Sequence, residues 1–277
     1  MLSINISQFQ HLARQRLNNE DAALEIELML CHVLNKNRTF LRTWPNTILT
    51  EAQLKQLNSY LQQREQGIPL AYILGERAFW SLNLTVTPEV LIPRPDTECV
   101  VEKVLALGQG KQWRVVDLGT GSGAIALSLA KEHPEWAVVA TDLYPQSLAI
   151  AQQNAEKNQI PNVEFVQGSW FEPLTGLFDC IVSNPPYIIE NDPHLQALSH
   201  EPQRALVAAE QGLADLRHIV QLSGKFLCDQ GYLVLEHGFD QGQAVRDLLQ
   251  ASGFSQIMTG QDFGGNDRYT VARLHKS

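Results

Sequence analysis

Three short stretches of this chain carry residue types that chemistry can use. The first is Asn184-Pro185-Pro186-Tyr187, which follows the apolar run Phe178-Asp179-Cys180-Ile181-Val182-Ser183. That run reads as a buried strand. Two consecutive prolines lack N–H groups and fix φ near −65°, so the strand must stop where the tetrapeptide begins. The Asn184 amide oxygen and the Pro185 carbonyl are then two neighbouring acceptors, which suit an NH2 group with two protons to donate. Tyr187 adds a flat face for a planar amide or base. A grip of this kind aligns a weakly nucleophilic nitrogen with an electrophilic carbon, and alignment alone supplies much of a rate enhancement.

The second stretch is Asp117-Leu118-Gly119-Thr120-Gly121-Ser122-Gly123-Ala124, on a strand-turn-helix pattern. Glycines let a backbone turn tightly and approach a ligand. The spacing is G-x-G-x-G, and an acid precedes it. That suits an amino-bearing ligand better than a pyrophosphate, which needs a free helix N-terminus. The third is Asp142, at the end of a strand and 21 residues after Gly121. An acid about 20 residues on meets ribose hydroxyls in Rossmann-type sites. Together the three stretches imply adenosine at the first two strands and an NH2 acceptor at the fourth. The chemistry that fits is methyl transfer from S-adenosylmethionine to nitrogen.

Other residues carry less. His194 and His200 flank a loop without cysteine or clustered carboxylates, and read as surface or loop-packing residues. Glu236-His237-Gly238 ends a strand on the ligand side, either lining the site or simply turning the chain. Trp170 and Phe171 follow the third strand and either wall an adenine or pack in the core. Cys31, Cys99, Cys180 and Cys228 show no C-x-x-C spacing, so neither zinc nor a disulfide framework is expected.

The elements that position these residues divide in two. Residues 1–76 read as three to five short helices. Leu24, Leu28 and Cys31 mark one stripe, widened by Leu30, Val33 and Leu34. Thr50 is expected to cap a helix through Leu54, Leu57 and Leu61. The segment is either a scaffold or a docking surface. Residues 77–110 read as a linking β-hairpin and helix: Phe79 to Val86 pairs with Val90-Leu91-Ile92 across Thr87-Pro88-Glu89, and Asp96 or Thr97 caps the helix through Val100 and Leu105. From 111 to 277, strands and helices alternate as in a doubly wound, mostly parallel sheet, with helices including Ala214–Leu227. The fold class is therefore α/β, a Rossmann-like domain preceded by a small all-α bundle and a hairpin.

Composition narrows the partners. With 44% hydrophobic and 18% charged residues, this is a soluble globular chain. Residues 1–110 hold ten Lys and Arg against eleven Asp and Glu, and residues 111–277 hold eleven against nineteen. No basic stripe offers a phosphate backbone a footing, so nucleic-acid binding is not expected. No signal peptide or stretch of about 18 apolar residues is read, which places the protein in the cytoplasm.

The motifs resemble one family over nearly the whole length. Its markers are Gly67-x-Pro69-x-x-Tyr72-Ile73-x-Gly75 with Phe79-Trp80, then Leu91-Ile92-Pro93-Arg94-Pro95-Asp96-Thr97-Glu98, the glycine turn, and Val182-Ser183-Asn184-Pro185-Pro186-Tyr187-Ile188. Asn-Pro-Pro-Tyr alone occurs in several nitrogen methyltransferases, and the Ile-Pro-Arg-Pro-Asp-Thr-Glu stretch narrows the field. The chain resembles the bacterial protein-(glutamine-N5) methyltransferases of class I peptide chain release factors, the HemK/PrmC family. The resemblance implies methylation of the glutamine in a release factor's Gly-Gly-Gln loop, with S-adenosylmethionine as donor, S-adenosylhomocysteine as product and no metal. It places Gly119, Thr120, Gly121, Ser122, Gly123, Asp142 and Trp170 on cofactor-binding positions. Asn184 falls on a position shared by cofactor and substrate, and Pro185, Pro186 and Tyr187 on glutamine-holding ones. Catalytic roles would rest on Asn184, Pro185 and Tyr187. In two places the chain departs from the pattern. Gly168-Ser169 stand where the family often has Ser-Asp, and the loop from Leu195 to Glu201-Pro202 lacks the Asp-Val-Arg-Phe-type residues. The rivals are an adenine or guanine N-methyltransferase of nucleic acid, and a nicotinamide-dependent dehydrogenase.

Overall fold

The computed structural model describes residues 4–17 and 19–276. Two compact units divide the chain after Gly75. The first is helical: α1 (Ile6–Arg16), α2 (Ala22–Leu34), α3 (Arg38–Thr43), α4 (Glu51–Glu65) and α5 (Leu70–Leu74). Thr50 caps α4 in a reciprocal capping box with Gln53, which satisfies two otherwise orphan backbone donors.

Helix α2 buries only part of the expected stripe: Leu30 is in the core and Cys31, Val33 and Leu34 pack against it. Ala22, Ile26, Met29 and Leu30 face the core, while Leu24 and Leu28 are exposed. The helix is apolar on more than one side, so spacing alone offers two stripes. The partners decide between them: Ile6, Phe9 and Ala13 of α1 and Leu57 and Leu61 of α4 share a cluster with the buried stripe. Each fully buried Ile, Leu or Met contributes roughly 1.5–3 kcal/mol.

The second unit opens with a tighter hairpin than the sequence implied. Strands β1 (Glu76–Phe79) and β2 (Leu82–Thr85) are antiparallel, with Phe79 opposite Leu82, so the turn is Trp80-Ser81. Trp80 takes a φ of +54° there. Its amide donates to Glu98 at 2.9 Å and its indole to Glu132 at 2.8 Å, which holds the turn. Val90-Leu91-Ile92 is not a strand. The Ile92 amide donates to the Glu201 carboxylate instead of to a ladder. Helix α6 (Glu98–Gly108) also starts without the expected side-chain cap from Asp96 or Thr97. Those side chains face Arg268 and Asn184 instead.

Seven strands form the central sheet: β3 (Arg114–Leu118), β4 (Ala137–Asp142), β5 (Val163–Gln167), β6 (Phe178–Ser183), β7 (Leu227–Glu236), β8 (Phe254–Gln261) and β9 (Asp267–Leu274). Their order is β5-β4-β3-β6-β7-β9-β8. Strands β3 to β7 run parallel, and β9 and β8 close the edge antiparallel. Helices α7 (Ala124–Glu132), α8 (Pro145–Lys157), α9 (Ala214–Ser223) and α10 (Gly242–Ala251) cover the faces.

Helix α9 stops at Ser223, not at Leu227, because Gly224 follows it and Leu227 begins β7. Strand β8 has no clean apolar alternation. It is an edge strand interrupted by a register shift between Ser255 and Met258. Along the parallel strands the side chains alternate faces, as a period of two requires. Val115, Val138, Cys180 and Val234 pack with α6 and α7, and Val116, Val139, Ile181 and Leu233 pack with α9 and α10. The strand order reverses between β3 and β6, and an open α/β sheet binds ligands at the carboxyl ends beside such a switch.

Candidate active site

The register of β3 and β6 builds the site. Leu118 lies opposite Ser183, and the Ser183 hydroxyl donates to the Leu118 carbonyl at 2.7 Å. The glycine turn and the Asn-Pro-Pro-Tyr turn therefore leave the sheet side by side. Gly119 has a φ of +72°, and a Cβ there would lie 3.3 Å from the Trp170 ring. Glycine thus serves both the turn and the ring placed over it.

Most donors of the glycine turn are already taken. The Gly119 and Thr120 amides donate to the Thr141 carbonyl at 2.9 and 2.8 Å, and Gly123 donates to Thr120. Gly121 donates to Asp142 Oδ2 at 3.0 Å, while Tyr144 donates to Asp142 Oδ1 at 2.9 Å. Asp117 serves the turn itself: its Oδ2 accepts from the Thr120 hydroxyl at 2.6 Å and the Ala126 amide at 3.2 Å. Burial pushes the Asp117 carboxyl up to about 7, against those two hydrogen bonds. Asp142 is also raised, by burial first.

Two clefts meet at Asn184. The first, about 270 Å³, is lined by Gly119, Thr120, Gly121, Ser122, Asp142, Trp170, Asn184 and Pro186, among others. The second, about 300 Å³, is lined by Leu91, Pro95, Asp96, Asn184, Pro185, Tyr187 and Leu198, among others. Both volumes sit at the lower end of small-molecule sites. Of the residues singled out in sequence, Gly123 lines neither cleft, and Pro186 faces the first, not the second. Gly168 and Ser169 line the first beside Trp170, whereas Phe171 is core, stacked on Phe226 at 4.9 Å. His194 is exposed, and its ring contacts Asp192.

The tetrapeptide is held from behind. Asn184 Nδ2 donates to Thr97 Oγ1 at 3.4 Å, which leaves the amide oxygen for the clefts. The Tyr187 hydroxyl donates to Glu236 Oε1 at 3.1 Å, and the Tyr187 carbonyl accepts from Gln241 at 3.1 Å. Glu201 is buried, accepting from the Ile92 amide and pairing with Arg94. It ties the loop after the tetrapeptide to the Ile-Pro-Arg-Pro stretch. His237 is fully buried, with its ring between the Gly238 carbonyl and the Thr270 hydroxyl, and burial lowers its pKa. Sequence reasoning missed Thr97, Tyr144 and Glu201 as parts of the site, and left Glu236 open between lining it and turning the chain; it lines neither cleft but holds Tyr187. Thr97 was visible as a candidate helix cap and inside the Pro-Arg-Pro-Asp-Thr-Glu stretch, and Glu236 as an acid at a strand's ligand end. Among the described residues, no three His, Cys, Asp or Glu side chains gather as a metal-binding group.

This fold is that of an S-adenosylmethionine-type α/β methyltransferase. A methyltransferase from Pyrococcus furiosus matches with a TM-score of 0.57 at 18% identity, over 78% of this chain and 100% of that one. The human Mettl16 catalytic domain matches with a TM-score of 0.56 at 16% identity, over 83% and 84%. Two family models fit: "PrmC N-terminal domain" over residues 8–75 and "Methyltransferase small domain" over residues 97–213. Among curated relatives, "Release factor glutamine methyltransferase" of Vibrio cholerae is 50% identical over 263 residues, covering 94% of this chain and 92% of the relative. The protein of that name from Escherichia coli K12 is 44% identical over 276 residues, covering 97% and 100%. The chain belongs to the release factor glutamine methyltransferase family.

Proposed function

We propose that this chain methylates the side-chain amide nitrogen (N5) of the glutamine in the Gly-Gly-Gln loop of class I peptide chain release factors, with S-adenosylmethionine as donor. The observation that carries this reading is the pair of clefts that share Asn184, one lined by the glycine turn, Asp142 and Trp170 and one by Pro185 and Tyr187. The residues present fit that donor: the Asp142 carboxylate lines the first cleft, where it could accept from ribose hydroxyls, and the missing Gly119 Cβ admits the Trp170 ring. When bound, S-adenosylmethionine supplies an electrophilic methyl carbon on a sulfonium.

The chain's own residues orient the acceptor. Asn184 Oδ1 and the Pro185 carbonyl take the two amide protons, which fixes the nitrogen and turns its face toward the first cleft. Tyr187 forms the floor beneath the amide plane, and its hydroxyl is anchored away from the substrate on Glu236. Orientation of this kind is what a weak nucleophile most lacks.

Both rivals meet contrary observations. A dinucleotide needs free N–H groups at the glycine turn, yet the amides of Gly119, Thr120, Gly121 and Gly123 are engaged within the protein. Nucleic acid needs free cations, yet Arg94, Arg204 and Arg268 around the clefts are paired with Glu201, Glu89 and Asp262. No helix among the described residues is long and apolar enough to cross a membrane. The deciding experiment incubates the protein with labelled S-adenosylmethionine and purified release factor, then locates the methyl group by mass spectrometry. One methyl on the Gly-Gly-Gln glutamine is the expected result. Label in nucleic acid and none in the release factor would sink the reading.

A further inference from the structure

Among the described residues, four carboxylates line the first cleft: Glu89, Asp117, Asp142 and Asp215. Three of them are engaged within the protein. Glu89 pairs with Arg204 at 2.8 Å. Asp117 is buried and gives Oδ2 to the Thr120 hydroxyl and the Ala126 amide. Asp142 accepts from the Gly121 and Tyr144 amides, one on each oxygen. Asp215, in the first turn of α9, has no hydrogen bond or ion pair among the described residues. Partial burial pushes its pKa up, and the nearby His218 opposes that shift. An acceptor taken partly out of water with nothing to accept from is costly, and a ligand that donates to it recovers the loss.

The place of Asp215 in the fold selects which ligand group that is. Leu216, next in the chain, is fully buried in the cluster that holds Phe171 and against which Trp170 packs. Ala124 and Ile125 also line the cleft but belong to the cluster on the other face of the sheet. Asp215 and Trp170 therefore share one wall. Of the two aromatic rings lining the cleft, Tyr144 already carries the Arg204 guanidinium at 4.3 Å, whereas Trp170 lies over Gly119, which has no Cβ. The flat part of S-adenosylmethionine is its base, and a flat ring is what this wall offers it. Adenine joined to ribose has one hydrogen-bond donor group, the 6-amino group, and its ring nitrogens only accept. A carboxylate only accepts, so it complements that group and opposes an oxygen in the same position. Ser169 lines the same cleft, but a hydroxyl both donates and accepts and does not tell an amino group from an oxygen.

We propose that Asp215 accepts from the 6-amino group of the donor's adenine and sets the preference of the first cleft for adenosine over inosine. The proposal rests on the S-adenosylmethionine reading above, and Asp215 acts on the base, away from the reacting atoms. Asp215→Asn keeps the shape and offers an acceptor to an amino group or a donor to an oxygen. Asp215→Ala offers neither.

The test is calorimetry on the full chain with S-adenosylhomocysteine and with S-inosylhomocysteine, which bears oxygen in place of the 6-amino group. Wild type should prefer the adenosine compound by about 10- to 100-fold, the worth of a hydrogen bond to a charged group. Asp215→Asn should bring the two within about threefold, binding the inosine compound more tightly than wild type does. Asp215→Ala should lose the preference by binding the adenosine compound about 10- to 100-fold more weakly, whereas Ser169→Ala should keep it. Equal binding of the two compounds by wild type, or an undiminished preference in Asp215→Ala, would overturn the proposal. A third ligand, S-adenosylhomocysteine without its α-amino group, separates the base from the amino-acid end. Asp215→Ala should weaken it as much as the parent compound; if only the parent is weakened, the carboxylate serves the α-amino group and the assignment to the base falls. If Asp215→Ala does not fold, the isosteric Asp215→Asn decides, and a wild-type preference there overturns the proposal. A wild-type protein that binds neither nucleoside compound removes the S-adenosylmethionine reading itself, a failure seen before any variant is compared.

Discussion

Asn184 lines both clefts, as do Leu91, Arg94 and Ala205, and removing its amide should separate binding from chemistry. Asn184→Ala keeps the Gly119–Gly123 turn and Asp142, so affinity for S-adenosylhomocysteine should stay within about tenfold, while turnover falls by about 100-fold or more, as when an oriented active-site hydrogen-bonding group is deleted. Calorimetry with the product and methyl transfer to release factor measure the two effects separately. The residues that were legible in the sequence share one property: their chemistry is written in local pattern. Asn184 is fixed by the prolines after it, and Gly119 and Asp142 by their distances from strand ends. Thr97, Glu201 and Glu236 act through partners 87, 109 and 49 positions away. No local period announces such contacts, and local pattern offered Thr97 only as a helix cap.

At the scale of elements, the segment after the tetrapeptide is held in an unusual conformation. Glu210, Gln211 and Gly212 all have positive φ, of 52°, 58° and 82°. A Cβ on Gly212 would lie 2.1 Å from the Tyr187 carbonyl oxygen. Gly212→Ala must therefore displace backbone at the tetrapeptide, costing about 1–3 kcal/mol through strain and clash. It should lower the unfolding temperature and slow methyl transfer together, because the carbonyl it strikes belongs to the clamp. Thermal unfolding and kcat in one preparation check this; full activity with lowered stability would uncouple the segment from the clamp. Elements were legible where one rule governed them. The βαβ alternation from Arg114 to Leu235 gave strands and helices with small boundary errors. The face of α2, the Trp80-Ser81 turn and the edge strand β8 were not legible, because each depends on a partner: α1 and α4 for the helix, Glu98 and Glu132 for the turn, β9 for the strand.

For the whole molecule, two buried carboxyls predict how stability follows pH. Burial pushes Asp117 and Glu236 up to about 7 each. A carboxyl raised in the folded state contributes stability that is fully present below its ordinary pKa and is lost as pH rises through the folded value. The unliganded protein should therefore lose stability between about pH 4 and pH 7, by roughly 3–4 kcal/mol for each group. Glu236→Gln removes one of the two ionisations, so its unfolding temperature should fall less over that range. Calorimetric scans of both proteins check the sign, and an equal fall in the two would show that Glu236 is ionised without cost.

Residues 76–277 hold the hairpin, α6 and both faces of the sheet, and their buried clusters contain no residue of the helical unit. The helical unit has its own cluster, from Ile6 to Leu61. A chain beginning at Glu76 therefore retains the apolar core that folding requires and every residue lining the two clefts. It should fold and bind S-adenosylhomocysteine within about threefold of the full chain, because a preformed site depends on its own lining. Its kcat/KM on intact release factor should fall about 100-fold, if the helical unit recognises the protein that carries the glutamine, since remote binding energy is then lost. A short peptide bearing Gly-Gly-Gln should be methylated equally by both chains, being too small to span two units. Undiminished methylation of intact release factor by the shortened chain would assign the helices to scaffolding, and would place substrate selection wholly in the rim of the second cleft.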